Sequence, residues 1–339
     1  MQRNVIVLFD GTWNDPKDKT NVVRMRESID SSGEHDLTQP CRYLEGVGTR
    51  WDNWLSGGLF GRGLSQNIQA GYAWVAETFK PQADRLFVFG FSRGAYSARS
   101  LVGLIRKCGV LKSVNPESIE AAYALYRDKK IAPDHPKAVA FRAANSHEIR
   151  VHFIGVWDTV GKLGVPISGI PFSSSFYRWH DTALSKIVDY AYHAIATDEH
   201  RADFKPTLWT KMKPENKEVE QRWFIGAHSN VGGGSEVKPP DCLADLALRW
   251  MQDKAELRGL KFRAKAQVEP EYCRGAIENS YGHFVLGFYK WVSRSYTRSF
   301  GKSVNETIDT SVWERWKQMS EYRPGSLIRH RELAATQPQ

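Results

Sequence analysis

No run of about eighteen apolar residues occurs anywhere in the 339 residues, which excludes a membrane-spanning helix. At the N-terminus only Val5 to Phe9 is wholly apolar, too short for the core of a secretory signal, so export by the general secretory route is not expected. Cysteine is scarce. Cys41, Cys108, Cys242 and Cys273 lie far apart with no C-x-x-C spacing, which indicates neither a zinc site nor a disulfide framework. Synthesis and folding in the reducing cytoplasm follow; a specialised machine that exports folded protein would leave no mark in such a sequence. Like charges never run to five in a row and no nucleic-acid motif is present. Nucleic acid is therefore not an expected partner, although Lys+Arg exceed Asp+Glu by 47 − 38 = 9. That excess suits anionic surfaces such as phospholipid, or simply solubility. No motif asks for a metal or a cofactor, no internal repeat is found, and nothing specifies an oligomeric state.

What is present is an ordinary globular composition, 41% hydrophobic and 25% charged, over a length that supports one large α/β domain. The chain reads as a single domain over 1–325, with rim insertions at 113–148 and 162–190, an aromatic and basic helical segment at 280–302, and a loose tail at 326–339. Leu86-Phe87-Val88-Phe89-Gly90-Phe91-Ser92-Arg93-Gly94-Ala95 organises the rest: an apolar run breaks on a serine with glycine two residues to either side. G-x-S-x-G between a buried strand and a helix describes a sharp turn that holds the serine in a strained backbone with its hydroxyl above the sheet. Gly90 and Gly94 are required because a side chain at either would collide across the turn. The helix behind the serine aims its N-terminal N–H groups at any oxyanion formed there. A glycine-rich turn with an inert serine is the plainer alternative.

Along the chain, Val5 to Phe9 predicts a central parallel strand bounded by Asp10-Gly11, with Thr12, Trp13 and Asn14 following at its C-terminal end. In open α/β sheets ligands bind at that edge, which makes Asp10-Gly11-Thr12 a site candidate by position. An Asp-Gly-Thr phosphatase is excluded, because the position that would carry the nucleophilic aspartate is Leu8. Cys41 to Leu44 reads as a short strand. The glycine-rich Gly57 to Gly63 has no following Lys-Ser/Thr for a phosphate loop and reads as a mobile loop at the site mouth. Ile68, Tyr72, Val75 and Phe79 predict an amphipathic helix from near Ser65 to before Pro81.

After the elbow, Ala95, Ala98, Leu101, Val102, Ile105 and Cys108 mark one face of a second helix, which ends near Gly109. The 113–148 insertion holds one helix with Ile119, Ala122, Tyr123 and Tyr126 on a face. Ile149 to Asp158, Tyr192 to Thr197 and Gln221 to His228 are three further strand candidates, and each leads into a polar residue: Asp158, Asp198 and His228. Asp241 to Leu257 is a helix capped by Asp241. Phe284 to Phe300 mixes aromatics with Lys290, Arg294 and Arg298, and Lys302 follows. A packed helix with a solvated basic face is the simpler reading, a membrane-facing or acyl-pocket segment the other.

Ser92, Asp158 and His228 thus stand in the order nucleophile, acid, histidine, each past a strand of what should be one parallel sheet. That is the order used by α/β-hydrolases. A serine hydroxyl needs an imidazole to take its proton, and the imidazole needs a carboxylate to fix its tautomer and stabilise its charge. The backbone N–H of Arg93 is one oxyanion donor, and Gly11 or Thr12 supplies the second. Asp10 and Asp198 are read as lining the site, and Asp198 is the rival for the acid.

Six motifs in order, Phe9-Asp10-Gly11-Thr12-Trp13-Asn14, Gly46-Val47-Gly48-Thr49, Gly90-Phe91-Ser92-Arg93-Gly94-Ala95, Gly155-Val156-Trp157-Asp158-Thr159-Val160, Asp198-Glu199-x-Arg201 and His228-Ser229-x-Val231-Gly232-Gly233-Gly234, resemble the α/β-hydrolase family that includes the phospholipase effectors of bacterial type VI secretion. The resemblance runs from about residue 3 to about residue 320. It implies an α/β-hydrolase-like fold: a mostly parallel central sheet with helices on both faces, rim insertions and a C-terminal helical segment. It implies a serine, aspartate and histidine triad at Ser92, Asp158 and His228, cleavage of fatty acyl esters of glycerophospholipids, and a secretion or immunity partner. Effector members of the family often add a membrane-binding module, for which this chain is short. A noncatalytic membrane- or protein-binding module on a hydrolase fold is the alternative from another class; a missing triad member would favour it, and none is missing.

Overall fold

The structure is a computed structural model that describes residues 3–12, 14–31, 39–46, 57–160, 182–234, 242–279 and 295–328. Seven parallel strands form its sheet: β1 (Arg3–Phe9), β2 (Cys41–Leu44), β3 (Asp84–Phe91), β6 (Val151–Trp157), β7 (Val188–Ala196), β8 (Glu218–Phe224) and β9 (Glu306–Ile308), in the order β2-β1-β3-β6-β7-β8-β9. Two residues each from β4 (Val110–Leu111) and β5 (Ser146–His147) make a small separate antiparallel pair. The helices are α1 (Asn21–Ser28), α2 (Gly57–Thr78), α3 (Arg93–Cys108), α4 (Pro116–Arg127), α5 (Pro136–Asn145), α6 (His228–Gly232), α7 (Cys242–Leu257), α8 (Thr310–Gln318) and α9 (Gly325–Ile328).

The wholly apolar strands are explained by helices on both faces. Alternate residues of β1 and β3 go to opposite sides: Val5, Val7, Phe9, Leu86 and Val88 join one core, Ile6, Leu8, Phe87 and Phe89 the other. The first core is closed by Tyr72 and Val75 of α2 and Ala98 and Leu101 of α3, the second by Val22 and Met25 of α1 and Ala247 and Met251 of α7. This is the α/β-hydrolase architecture, as expected. The register brings the strand ends level, with Phe9 opposite Gly90, Phe91 opposite Trp157, Trp157 opposite Ala194, and Ala196 opposite Phe224. Asp10, Ser92, Asp158, Asp198 and His228 therefore leave the sheet at one edge.

Several local expectations change. The glycine-rich stretch from Gly57 is helical backbone, and α2 starts there, not near Ser65. Each interior glycine costs a helix about 1 kcal/mol, and the burial of Leu64, Ile68, Tyr72, Val75 and Phe79 against the sheet offsets that cost. The 113–148 insertion contains two helices, the second opened by Pro136 at its first turn and capped by His135. In the 280–302 stretch, residues 280–294 lie outside the described residues, while 295–302 are not helical. The stretch read as a loose tail begins inside α9, where Ser326 and Leu327 are buried; 329–339 lie outside the described residues. Trp13, Gly48 and Thr49, the cap at Asp241 and most of the 162–190 insertion also lie outside them.

Candidate active site

Ser92 sits at φ 57° and ψ −119°, between the last residue of β3 and the first of α3. Such a conformation costs a non-glycine residue on the order of 1 to 3 kcal/mol and survives only where its surroundings fix it. Here they do. Ser92 N–H donates to the Trp157 carbonyl at 3.0 Å, and the Ser92 carbonyl accepts from Tyr96 N at 3.3 Å and Val160 N at 3.4 Å. The flanking glycines let the chain close up: a Cβ at Gly90 would lie 2.5 Å from the Gly94 carbonyl oxygen, and one at Gly94 would lie 2.2 Å from the Phe9 carbonyl oxygen. The requirement read from G-x-S-x-G is thus a backbone contact on both sides of the serine.

Three side chains expected to meet are brought together. Ser92 Oγ is 2.8 Å from His228 Nε2, and His228 Nδ1 is 2.6 Å from Asp158 Oδ2. All three are buried, Asp158 completely. An ionised carboxylate only accepts, so Nδ1 is the protonated nitrogen and Nε2 is bare and accepts from the serine hydroxyl. His228, read as the end of a strand, opens the short helix α6, and β8 stops at Phe224; the His228 backbone N–H donates to Glu199 Oε2 at 3.2 Å. Its ring lies between Phe91, with centroids 4.7 Å apart, and Phe204, at 5.0 Å. Burial lowers its pKa, and Asp158 pulls in the opposite direction.

The surroundings of Asp158 carry no signal in the sequence. Arg298, from the stretch read as a solvated basic face, is buried, with Nη1 2.5 Å from Asp158 Oδ1 and Nη2 2.9 Å from Oδ2. The same two nitrogens donate to the Ala196 carbonyl at 2.8 Å and the Phe204 carbonyl at 2.6 Å. Ala196 N–H donates to Asp158 Oδ1 at 3.0 Å, so each carboxylate oxygen accepts two hydrogen bonds. Burial pushes the carboxyl up, but Arg298 and His228 outweigh it and hold Asp158 well below the usual carboxylate range.

Asp158 itself has φ 38°. The backbone after it is pinned by a second histidine, His193 of β7, whose Nε2 accepts the Thr159 N–H at 3.1 Å. Burial, helped by Arg99, lowers the His193 pKa to about 3 and keeps it a neutral acceptor. Its only trace in the sequence is a histidine inside an apolar strand.

The other expected residues are placed as follows. Asp10 is buried behind the loop that carries Gly11 and Thr12, where it accepts from Tyr43 Oη at 2.7 Å and from Thr20 Oγ1 at 2.8 Å. Burial raises its pKa to about 6 against those hydrogen bonds. The Gly11 N–H, offered as an oxyanion donor, points back to Asp10 Oδ1 at 2.7 Å, leaving Thr12 of the two first-loop candidates. Asp198 does not meet His228: its Oδ2 accepts from Gly226 N–H at 2.8 Å and Tyr322 Oη at 3.0 Å. Its neighbour Glu199 is also buried, and accepts from Arg201 Nε at 2.9 Å and Nη2 at 2.8 Å as well as from His228 N–H. Burial opposes its charge, yet Arg201 brings the Glu199 pKa down to about 2. Among the described residues no group of three or more His, Cys, Asp or Glu side chains is arranged to hold a metal ion.

Comparison with known proteins places these motifs. The uncharacterized protein YEL023C of Saccharomyces cerevisiae is 26% identical over 238 residues, covering 62% of this chain and 33% of that protein. Among solved structures, an uncharacterized protein from Pseudomonas aeruginosa is similar at a TM-score of 0.45 and 19% identity, over 86% of this chain and 50% of that one. The Tle1 effector bound to the VgrG spike of the type 6 secretion system is similar at a TM-score of 0.44 and 16% identity, over 86% of this chain and 80% of that one. A thermophilic esterase from Thermogutta terrifontis, with propionate bound, gives a TM-score of 0.41 at 14% identity, over 78% of this chain and 86% of that one. The chain spans about a third of the curated relative and half of the Pseudomonas protein. Residues 3–254 match the family model for the catalytic domain of type VI secretion (T6SS) phospholipase effectors of the Tle1-like kind, and the chain belongs to that family.

Proposed function

We propose that this chain is a serine hydrolase that cleaves carboxylic esters through an acyl-enzyme, with fatty acyl esters of phospholipids as its substrate class. The observation that supports this most is the unbroken relay from Ser92 Oγ through His228 to Asp158, with contacts of 2.8 and 2.6 Å, built on a serine held at positive φ. In the first half-reaction His228 Nε2 takes the Ser92 hydroxyl proton as Oγ attacks the ester carbonyl. Asp158 holds the imidazolium in place. The N–H groups of Arg93 and Thr12 donate to the oxyanion, and the loss of one such donor raises the barrier by roughly 3 kcal/mol. Collapse breaks the ester C–O bond, and the leaving alcohol receives the proton from Nε2. Water then attacks the acyl-enzyme with His228 again as base, which releases the fatty acid and restores Ser92.

Family membership supports the phospholipid substrate and, with it, delivery by type VI secretion. Among the described residues no helix is long and apolar enough to cross a membrane. A fluorophosphonate probe tests the chemistry: it should label the wild type and not Ser92→Ala, and vesicles of defined phospholipids should release fatty acid only with the wild type. Absence of both labelling and acid release from any acyl ester would overturn the reading.

A further inference from the structure

Among the described residues, four charged side chains surround His228: Asp158 and Glu199 are anionic, Arg201 and Arg298 cationic. Arg201 is taken by Glu199, through the backbone N–H and two side-chain nitrogens. Arg298 is taken by Asp158, through a two-pronged fork. On the far side of Asp158, His193 is neutral, and Tyr296 lies within electrostatic reach of Arg298. Among the described residues the shell around the imidazole is therefore charge-balanced.

Arg298 does not come from the part of the chain that carries the other members. The family match ends at residue 254, beyond Ser92, Asp158 and His228 and before Arg298. A buried, bidentate arginine is a costly element, since both ions lose their hydration. The carboxylate does not need the fork to be held to the sheet, because Ala196 N–H already ties Asp158 Oδ1 to β7. What the fork adds is orientation and charge. It fixes the carboxylate plane so that one lone pair of Oδ2 faces His228 Nδ1, and it keeps a fully buried carboxylate ionised.

We propose that Arg298, supplied by the segment after the family-matched region, is a positioning residue that clamps Asp158 for His228. The proposal rests on the serine-hydrolase reading above. It has a consequence that a strut for the fold would not have. A cation on the far side of the carboxylate disfavours the imidazolium, so His228 stays neutral and able to accept a proton to lower pH than it would beside an unclamped aspartate. Removing Arg298 leaves the shell one negative charge in excess, and protonated His228 becomes easier to form.

The experiment is a pH profile of kcat/KM on a soluble acyl ester for the wild type, Arg298→Met and Arg298→Lys, with thermal melting of each. For Arg298→Met we expect kcat to fall about tenfold to a hundredfold with KM little changed, and the acid limb to move up by about one pH unit. Arg298→Lys, which keeps the charge and loses the fork, should leave the acid limb close to wild type while kcat still falls. In the Asp158→Asn background Arg298→Met should cost less than threefold more, since the arginine acts only through the aspartate. Folded variants with wild-type kcat and an unmoved acid limb, full additivity with Asp158→Asn, or loss of the folded state in both Arg298 variants would each overturn the proposal. A wild type that the fluorophosphonate probe fails to label would instead overturn the serine-hydrolase reading itself.

Discussion

Asp158 and Asp198 follow adjacent parallel strands, leave the sheet at the same edge and are both buried, yet their surroundings shift the two carboxyls in opposite directions. Burial pushes both carboxyls up. At Asp158 a guanidinium and an imidazole answer it, and the group stays ionised. At Asp198 the answer is one backbone N–H and one tyrosine hydroxyl, with His200 and Arg315 adding weaker attraction, and the pKa settles at about 6. Asp10 repeats the second pattern with Tyr43, Thr20 and Gly11, and also settles at about 6. A cation in direct contact is worth more to a buried carboxylate than two or three neutral donors. This difference suits Asp158, and neither of the other two, to hold an imidazolium.

The largest effect expected from this difference is on turnover. Asp158→Asn leaves Nδ1 without an acceptor that fixes its protonation, and kcat should fall by about 10⁴, the scale seen when a triad loses its orienting carboxylate. Asp198→Asn keeps an oxygen for Gly226 and Tyr322 and should leave kcat within about twofold, since Asp198 does not reach His228. Steady-state hydrolysis of one acyl ester by both variants checks the pair. The reverse ranking would show that the working acid is Asp198 and that the contact between Asp158 and His228 is structural.

The sequence makes the serine elbow legible and leaves the two aspartates hard to tell apart. Ser92 could be read because the elbow imposes glycine at two positions for a backbone reason, and the apolar alternation of β1 and β3 is strong enough to mark the sheet. Asp158 and Asp198 look alike from the chain, because each is an aspartate just past a strand. What separates them comes from far along the chain, 140 residues away at Arg298 and 124 residues away at Tyr322. Arg298 had no signal of its own: with Lys290, Arg294 and Lys302 near it, a solvated cation was the natural reading, and only the contact shows it buried. His193 was hidden for a similar reason, since one histidine in an apolar strand carries no pattern. The start of α2 was missed because glycine content argued for a loop where packing on the first core decided for a helix.

A smaller effect separates the two aspartates in stability. The folded pKa of Asp198, about 6, lies above its unfolded value of 3.8, so the fold carries a penalty for its charge. The penalty is absent below the unfolded value, grows between the two and is complete above the folded one. Asp198→Asn should therefore be more stable than wild type at pH 8 by roughly 2 to 3 kcal/mol and equal to it near pH 3.5. Urea unfolding at the two pH values measures the difference. A gain independent of pH would mean that the carboxyl is not titrating in this window.

The smallest effect sharpens the same contrast from the donor's side. Tyr322→Phe removes the hydroxyl from Asp198 and keeps the ring that packs 4.9 Å from the Arg315 guanidinium, so the change is confined to one hydrogen bond. A donor lost from a charged acceptor matters more than one lost from a neutral carboxyl. The cost should be about 1 kcal/mol at pH 8 and shrink as the pH falls through 6, because the carboxyl is then protonated with or without the tyrosine. This slope has the opposite sign to that of Asp198→Asn, whose advantage grows with pH. The double variant should lose both slopes, since an asparagine has no charge for the hydroxyl to stabilise. Urea midpoints for the two single variants and the double variant across pH 4 to 8 check it. A cost for Tyr322→Phe that stays constant with pH would place the hydroxyl's contribution in packing and leave the Asp198 charge set by burial alone.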